Sequence, residues 1–332
     1  MAMVPYNAAM PWSYLTYGLS IRSDIELPEL VTAPTSINPD VFIAAVSAAP
    51  LDCDREATLG QVTPTLTRFR VKGVARYEIE QGRHITVVPE SAADDGDIRL
   101  YLLGNALGVL LHQRGLLPLH VGAIATQWGA VAFAGASGAG KSTLTATLAL
   151  RGYPLLCDDT AVVVPRDGDT PLLYPGFPRL KLWRDTLTHL RLDHRAGVRD
   201  HSRFDKFHLP AKAFFHAEPL PLHALFVLER ALNDDDARIE SITGMRAVEQ
   251  LSANTYNRRL VGRMARGAAN LQQCATVAHQ VAVFRYRRPW VLERMEESLM
   301  PLLKIIGVPP RRCPARSSRT ASRNPSTLPP SP

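Results

Sequence analysis

Apolar positions come in short runs up to residue 95, parted by Gly, Pro and polar residues, and lengthen beyond it. Residues 12–21 and 41–46 have strand composition. Residues 69–71, 76–79 and 84–88 follow with short glycine-containing breaks, the spacing of an antiparallel meander. Leu27-Pro28-Glu29-Leu30 reads as a turn that packs an apolar pair. Asp94, Asp95 and Asp97 suit the start of a helix reaching Gln113, because acidic side chains accept from the open N–H groups and oppose the positive helix end. Its apolar residues go nearly all round, which predicts a buried connector.

Past this helix, 117–124 reads as a strand, Trp128-Gly129 as a turn and 130–134 as a buried parallel strand. A helix over 142–150 follows, closed by Arg151 and Gly152. Residues 153–157 form a short strand ending in Asp158-Asp159, 160–164 continues extended, and 166–169 is a turn. Loop or edge strand is expected over 174–182, a helix over 185–192, and a polar, mobile stretch over 194–210. Strands at 222–228, 239–242 and 281–286 alternate with helices at 247–252 and 260–277. A last helix over 290–303 is expected to break at Pro301. From Pro309 the chain is Pro, Ser, Arg and Thr, the composition of a disordered tail. The expected division is a β-rich unit at 1–95, a nucleotide-binding unit at 96–308 and the tail at 309–332.

Composition narrows this little. The 332 residues are 46% hydrophobic and 21% charged, as in a soluble globular protein. The net charge of +7 lies mostly beyond Leu251, much of it in the tail, so a solvated tail is expected rather than a nucleic-acid or membrane partner. Cys53, Cys157, Cys274 and Cys313 are scattered without zinc-site spacing and suit reduced thiols. No signal-peptide pattern and no run of transmembrane length is present, which points to the cytoplasm.

The chemistry begins at the loop after 130–134. Gly135, Ala136, Ser137, Gly138, Ala139, Gly140, Lys141 and Ser142, with Thr143 following, fit G-x-x-x-x-G-K-[ST] between a strand and a helix. Glycines there let backbone N–H groups face phosphate oxygens. Lys141 would reach the β- and γ-phosphates of ATP, and the Ser142 hydroxyl would ligate Mg²⁺. In an open parallel sheet, ligands bind at the carboxyl ends of strands. That places Asp158 and Asp159 beside the γ-phosphate, where acids hold a metal or accept a proton. A strand-end turn with two solvated acids is the alternative. His120 lies on the strand before the loop strand; taken alone it is equally a core histidine.

Leu119-His120, the glycine loop, Leu150-Arg-Gly-Tyr and Cys157-Asp-Asp, in that register, resemble the catalytic domain of HPr kinase/phosphorylase. The match is strong from Leu119 to Asp159 and weak over the rest of 100–305. The resemblance implies an α/β fold: a P-loop domain of the HPr kinase / phosphoenolpyruvate carboxykinase type with a small β-rich N-terminal domain. It implies a P-loop serine kinase using ATP and Mg²⁺. Carried over by position, Asp158 is similar to the general base, Asp159 and Ser142 to the Mg²⁺ ligands, and His120 to a polar group orienting base or phosphate. Lys141 is similar to the residue stabilising the transferring phosphoryl group. Which aspartate takes which role stays open.

The region 175–185 lacks the glutamate of the bacterial HPr enzyme. Tyr17-Gly-Leu, Leu27-Pro-Glu-Leu, Pro-Arg-Leu-Lys-Leu-Trp and Phe284-Arg-Tyr-Arg-Arg-Pro look more like a branch associated with lasso-peptide clusters, which implies a serine of a precursor peptide as acceptor. HPr, in the control of carbohydrate uptake, and a small hydroxyl compound are the alternatives. Basic residues between Arg179 and Arg259, among them Arg203, Lys206 and Arg258, are candidates to grip phosphate or substrate, with solvated surface positions the favoured alternative; Phe204, Phe207 and Tyr256 are candidates to line a base or to anchor loops. A homo-oligomer is in keeping with the resembled family.

Overall fold

The structure, a computed structural model, describes residues 11–36, 38–46, 60–193, 205–231, 237–307 and 309. The chain forms two compact units. One holds the residues to Leu116 together with Arg259–Gly267; the other holds Leu117–Arg258 and the chain from Ala268.

The first unit is a seven-stranded sheet of β1 (Trp12–Thr16), β2 (Leu19–Ser23), β3 (Val31–Thr32), β4 (Val41–Ala45), β5 (Leu66–Val71), β6 (Ala75–Glu80) and β7 (His84–Pro89), ordered β3-β1-β2-β4-β7-β6-β5. Tyr17 and Gly18 both take positive φ and turn the expected 12–21 strand into a hairpin. β5, β6 and β7 are the expected meander. β4, however, is parallel to both β2 and β7, so the sheet is mixed rather than antiparallel throughout. Leu27 and Leu30 are fully buried, as the turn reading expects. The connector starts where the acids predict: Asp94 Oδ1 accepts from the N–H groups of Gly96 and Asp97. It comprises α1 (Asp95–Tyr101), a π-helical turn (Leu102–Ala106) and α2 (Leu107–Gln113), in which every residue of α2 is buried. Tyr77 Oη donates to the Ile98 carbonyl and Gln113 Nε2 to that of Ile79, so the connector packs with the first unit, and the division falls at Leu116 rather than at 95.

The second unit is a nine-stranded mixed sheet covered on both faces. Its elements are β8 (Leu117–Leu119), β9 (Gly122–Thr126), β10 (Gly129–Ala134), α3 (Lys141–Leu150), β11 (Leu155–Cys157), β12 (Ala161–Arg166) and β13 (Asp169–Tyr174). A hairpin of β14 (Arg179–Trp183) and β15 (Lys206–Pro210), with α4 (Arg184–His189) between, stands off the sheet. β16 (Leu220–Arg230), β17 (Arg238–Ile242), α5 (Met245–Ala253), α6 (Arg258–Arg263), α7 (Gly267–Gln280), β18 (Ala282–Arg288) and α8 (Met295–Ile306) complete the chain, although α6 falls almost wholly in the first unit. Only β10, β16 and β18 run parallel to one another as neighbours, while β9 is antiparallel to β10 and β11 to β9.

Alternation along β10 shows why this strand is central. Ala130, Ala132 and Ala134 pack with α5 and α7 on one face, and Val131 and Phe133 with α3 and α8 on the other. Small residues on β9 let α3 lie close: a Cβ on Gly122 would sit 2.2 Å from Thr145 Oγ1.

Three expectations are corrected. The strand at 117–124 is two strands, because β8 pairs with β12 whereas β9 pairs with β10 and β11. The helix at 260–277 is α6 and α7, parted where Ala265 takes a φ of 54° and the Arg266 N–H turns back to the Val261 carbonyl. Pro301 does not break α8. A mid-helix proline costs about 3 kcal/mol, whereas Leu299, Leu302 and Ile306 are fully buried and each contributes about 1.5–3 kcal/mol. The expected mobile stretch 194–210 contains β15; its other residues through 204 and the tail beyond Pro309 lie outside the described residues.

Candidate functional site

β10 delivers the glycine loop to the edge of the sheet. Gly135, Gly138 and Gly140 have φ of 138°, 86° and 81°, a region that side chains disfavour, and Gly140 is the N-cap of α3. The Gly135 N–H donates to Asn254 Oδ1 at 2.9 Å, which anchors the loop's entrance. Ala139 is buried in the core below the loop, while Ala136, Ser137 and Gly138 are exposed. Lys141 is buried and folds back: its Nζ donates to the carbonyls of Gly135 at 2.7 Å and Ala136 at 3.2 Å. Burial lowers its pKa to about 8, against the pull of Asp159 and Asp158.

His120 and the aspartate pair meet for a topological reason. His120 and Val121 carry the chain from β8 to β9, and Asp158 to Thr160 carry it from β11 to β12. β8 pairs with β12, and β9 with β11, so the two crossings run side by side. They lie at the edge where β10 ends, since β9 begins there and β11 finishes there. The expected placement at the carboxyl ends of parallel strands is thus reached through an antiparallel pair instead.

The two carboxylates differ sharply. Asp158 is 5% exposed; Oδ2 accepts from the Lys181 N–H at 2.6 Å, and Oδ1 is buried with no hydrogen-bond partner. Burial raises its pKa to about 7, despite hydrogen bonding from Lys181 and Ser142. The Asp159 side chain is 33% exposed. Burial raises its pKa too, but Lys181, His120, Arg179 and Lys206 together outweigh burial and hold the carboxyl below its ordinary value. His120 Nδ1 lies 2.9 Å from the Asp159 carbonyl oxygen. A carbonyl only accepts, so Nδ1 carries the proton. Burial lowers the ring's pKa, which leaves Nε2 as an unprotonated acceptor.

A cleft joins these groups. Ser137, Gly138, Gly140, Lys141, Ser142 and Thr143 form its floor, and His120, Asp158 and Asp159 one end. Lys181, Trp183, Asp185, Thr186 and Lys206 of the hairpin and α4 form a wall, and Arg288, Trp290, Val291, Leu292 and Met295 line it beyond β18. The wall is held by its own core: Leu180, Leu182, Leu187 and Phe207 pack against Ala146 of α3, and Thr143 Oγ1 meets Thr186 Oγ1 at 3.2 Å. Among the described residues no group of three or more His, Cys, Asp or Glu is placed to hold a metal ion by itself.

Of the other candidates, Lys206 lines the cleft, with its Nζ 5.2 Å from the Trp183 ring centre. Phe207 is buried in the hairpin core, with Arg184 over its ring. Tyr256 is tilted against His120 at 6.1 Å, and its N–H binds the Pro118 carbonyl. Arg258 begins α6 and is not among the cleft residues. Arg203 and Phe204 lie outside the described residues. Sequence reasoning missed Asn254 and Arg288, and included Lys181 only within a broad range of basic candidates. Lys181 acts on Asp158 through a backbone N–H, which carries no residue signature. Asn254 and Arg288 lie far along the chain from the loop they touch.

No protein-family model matches the chain, and no curated protein matches it. Among solved structures, the Hpr(Ser) kinase/phosphatase from Coxiella burnetii is similar at 12% sequence identity, over 57% of this chain and 96% of that one, with a TM-score of 0.30. No helix among the described residues is long and apolar enough to cross a membrane.

Proposed function

We propose that this protein is a P-loop serine kinase that transfers the γ-phosphate of ATP to a serine hydroxyl of a peptide or small protein. The observation that carries the reading is Asp158: a buried carboxyl with a pKa of about 7 and an unpartnered oxygen, in the cleft that holds Lys141 and Ser142.

The residues suit Mg-ATP. The positive-φ glycines and the N-terminus of α3 make an anion cradle, and a Cβ on Gly140 would intrude on it, 2.4 Å from Arg288 Nη2. Ser142 and Asp159 supply hard oxygen donors for Mg²⁺, which needs only one or two protein ligands when substrate phosphates complete its shell. When bound, the ion would offset the negative charge of the phosphates. Lys141 would exchange two neutral carbonyls for charged phosphate oxygens, a stronger hydrogen-bonding partner.

Environment separates the carboxylates. Asp158, with a pKa near 7 and shielded from water, suits a general base that takes the proton of the serine hydroxyl as its oxygen attacks the γ-phosphorus and the bond from that phosphorus to ADP breaks, ADP leaving with the bonding electrons. Asp159, partly exposed and held ionised by surrounding charges, suits the metal. His120 positions Asp159 through the carbonyl that its Nδ1–H engages. General-base action contributes roughly 10²–10⁴-fold to rate.

The acceptor is proposed from the resemblance to the lasso-peptide-associated branch. Intact mass after incubation with Mg-ATP tests it, with a serine-containing lasso precursor peptide and HPr as parallel acceptors. A phosphate-sized gain on the peptide supports peptide tailoring, and a gain on HPr alone reassigns the enzyme to the control of sugar uptake. No gain on either overturns the protein-kinase reading and directs attention to small hydroxyl compounds.

A further inference from the structure

Arg288, the last residue of β18, is 3% exposed yet lines the cleft. Its Nε is buried with no hydrogen-bond partner. Its Nη1 makes long contacts, 3.5 Å to the Pro289 carbonyl and 3.9 Å to Met295 Sδ. Among the described residues no carboxylate pairs with it. An ion buried without a countercharge is strongly disfavoured, so a guanidinium in this state is poised for an anion that completes it. The direction is set by the loop: Nη2 lies against Gly140, at the entrance to α3.

The sheet order fixes which part of a nucleotide this is. Strands β11, β9, β10, β16 and β18 lie side by side in that order. The acids and His120 belong to the β9 and β11 side of the loop, and Arg288 to the far side. From β9 to β18 is three strand spacings, about 14 Å. The guanidinium of Arg288 therefore reaches Gly140 from the side of the loop opposite to Asp158. Past it, Trp290 and Val291, both 40% exposed, offer apolar surface on which a flat base can rest.

Building on the nucleotide reading above, we propose that Arg288 binds the phosphate nearest the nucleoside, on the side of the loop away from Asp158, and gains its missing countercharge from that phosphate. It is a binding group for the nucleotide and takes no part in proton transfer.

The test uses the full chain and measures ATP and ADP affinity, melting temperature with and without nucleotide, and the rate at saturating ATP. Arg288→Gln is expected to weaken ATP and ADP alike, roughly ten- to a hundredfold, the size expected for a lost hydrogen bond to a charged group. Any loss of rate at saturating ATP should be smaller than the loss of affinity, and the nucleotide-free melting temperature should not fall, because an uncompensated buried charge has been removed. Arg288→Lys keeps the charge without the fork and should recover part of the affinity; it also serves if the glutamine variant does not fold. Wild-type affinity in either variant, with lowered nucleotide-free stability, would make Arg288 a packing residue and overturn the inference. Wild-type protein that binds neither ATP nor ADP would overturn the nucleotide reading itself, and this inference with it.

Discussion

The backbone N–H of Lys181 donates to Asp158 Oδ2 at 2.6 Å, across the gap between the β14–β15 hairpin and the end of β11. One carboxylate oxygen is thus fixed by the main chain while the other, Oδ1, is buried without a partner. Hydrogen bonding from Lys181 and Ser142 does not offset the loss of water, so the proton is held to about pH 7.

A narrow pH window for catalysis follows. In the proposed mechanism Asp158 must lose its proton to act as base, at about 7, and Lys141 must keep its proton to hold phosphate, up to about 8. The profile of kcat/KM, which reports free-enzyme groups as apparent values, should rise through the first and fall through the second. A profile flat from pH 6 to 9 would count against both assignments.

The same carboxyl sets a pH dependence of stability. Its folded pKa of about 7 lies above the ordinary 3.8. Between these values the native state keeps a proton that the unfolded chain has released, so stability declines as pH rises from about 4 to about 7. Asp158→Asn lacks this penalty. Its stability relative to wild type should improve between pH 5 and pH 8 by up to about 2–3 kcal/mol in urea unfolding. A difference independent of pH would show that the carboxyl is not protonated in the native state.

Much of the second unit is legible in the residues because its signals are local. The run Ala130 to Ala134, the glycines after it and the Arg151-Gly152 cap each specify their own stretch of backbone, and β10 and α3 lie where these predict. What sequence reading lacks is the partner of each strand. Residues 117–124 have one continuous apolar signature, and only pairing with β12 on one side and β10 on the other splits them at His120. The hairpin carrying Lys181 and Lys206 is hidden for another reason. Its two strands are separated by a helix and a polar stretch, and its prolines and glycine read as loop. Arg288 is one of several arginines near the end of β18; its burial alone sets it apart.

Close packing of β9 on α3 gives a third prediction. The Cβ of Gly122→Ala would lie 2.2 Å from Thr145 Oγ1 and 3.3 Å from Thr145 Cβ. The substitution should destabilise by roughly 1–3 kcal/mol, as overpacking does. Thr145→Ala in the same chain removes the oxygen and should recover much of that loss, a coupling that a double-mutant cycle in urea reads directly. Additive effects would contradict the contact.

Asn254 offers a fourth. Its Oδ1 accepts from Gly135, its Nδ2 donates to Gln250, and its carbonyl accepts from His120. Asn254→Ala leaves the Gly135 N–H unmatched and should cost about 1–3 kcal/mol in unfolding free energy. Weaker ATP binding should accompany the loss, since the entrance of the glycine loop is released. Unchanged stability and affinity would remove Asn254 from the site.

The most direct test of the central claim compares wild type with Asp158→Asn in two assays on the same preparations: ATP affinity, and phosphate transfer from Mg-ATP to a serine-containing peptide read by intact mass. Asparagine nearly matches aspartate in shape and can still accept from the Lys181 N–H, but it cannot take a proton. The account predicts ATP affinity within a few-fold of wild type and transfer reduced by roughly 10²–10⁴-fold. Transfer at the wild-type rate by Asp158→Asn would contradict it.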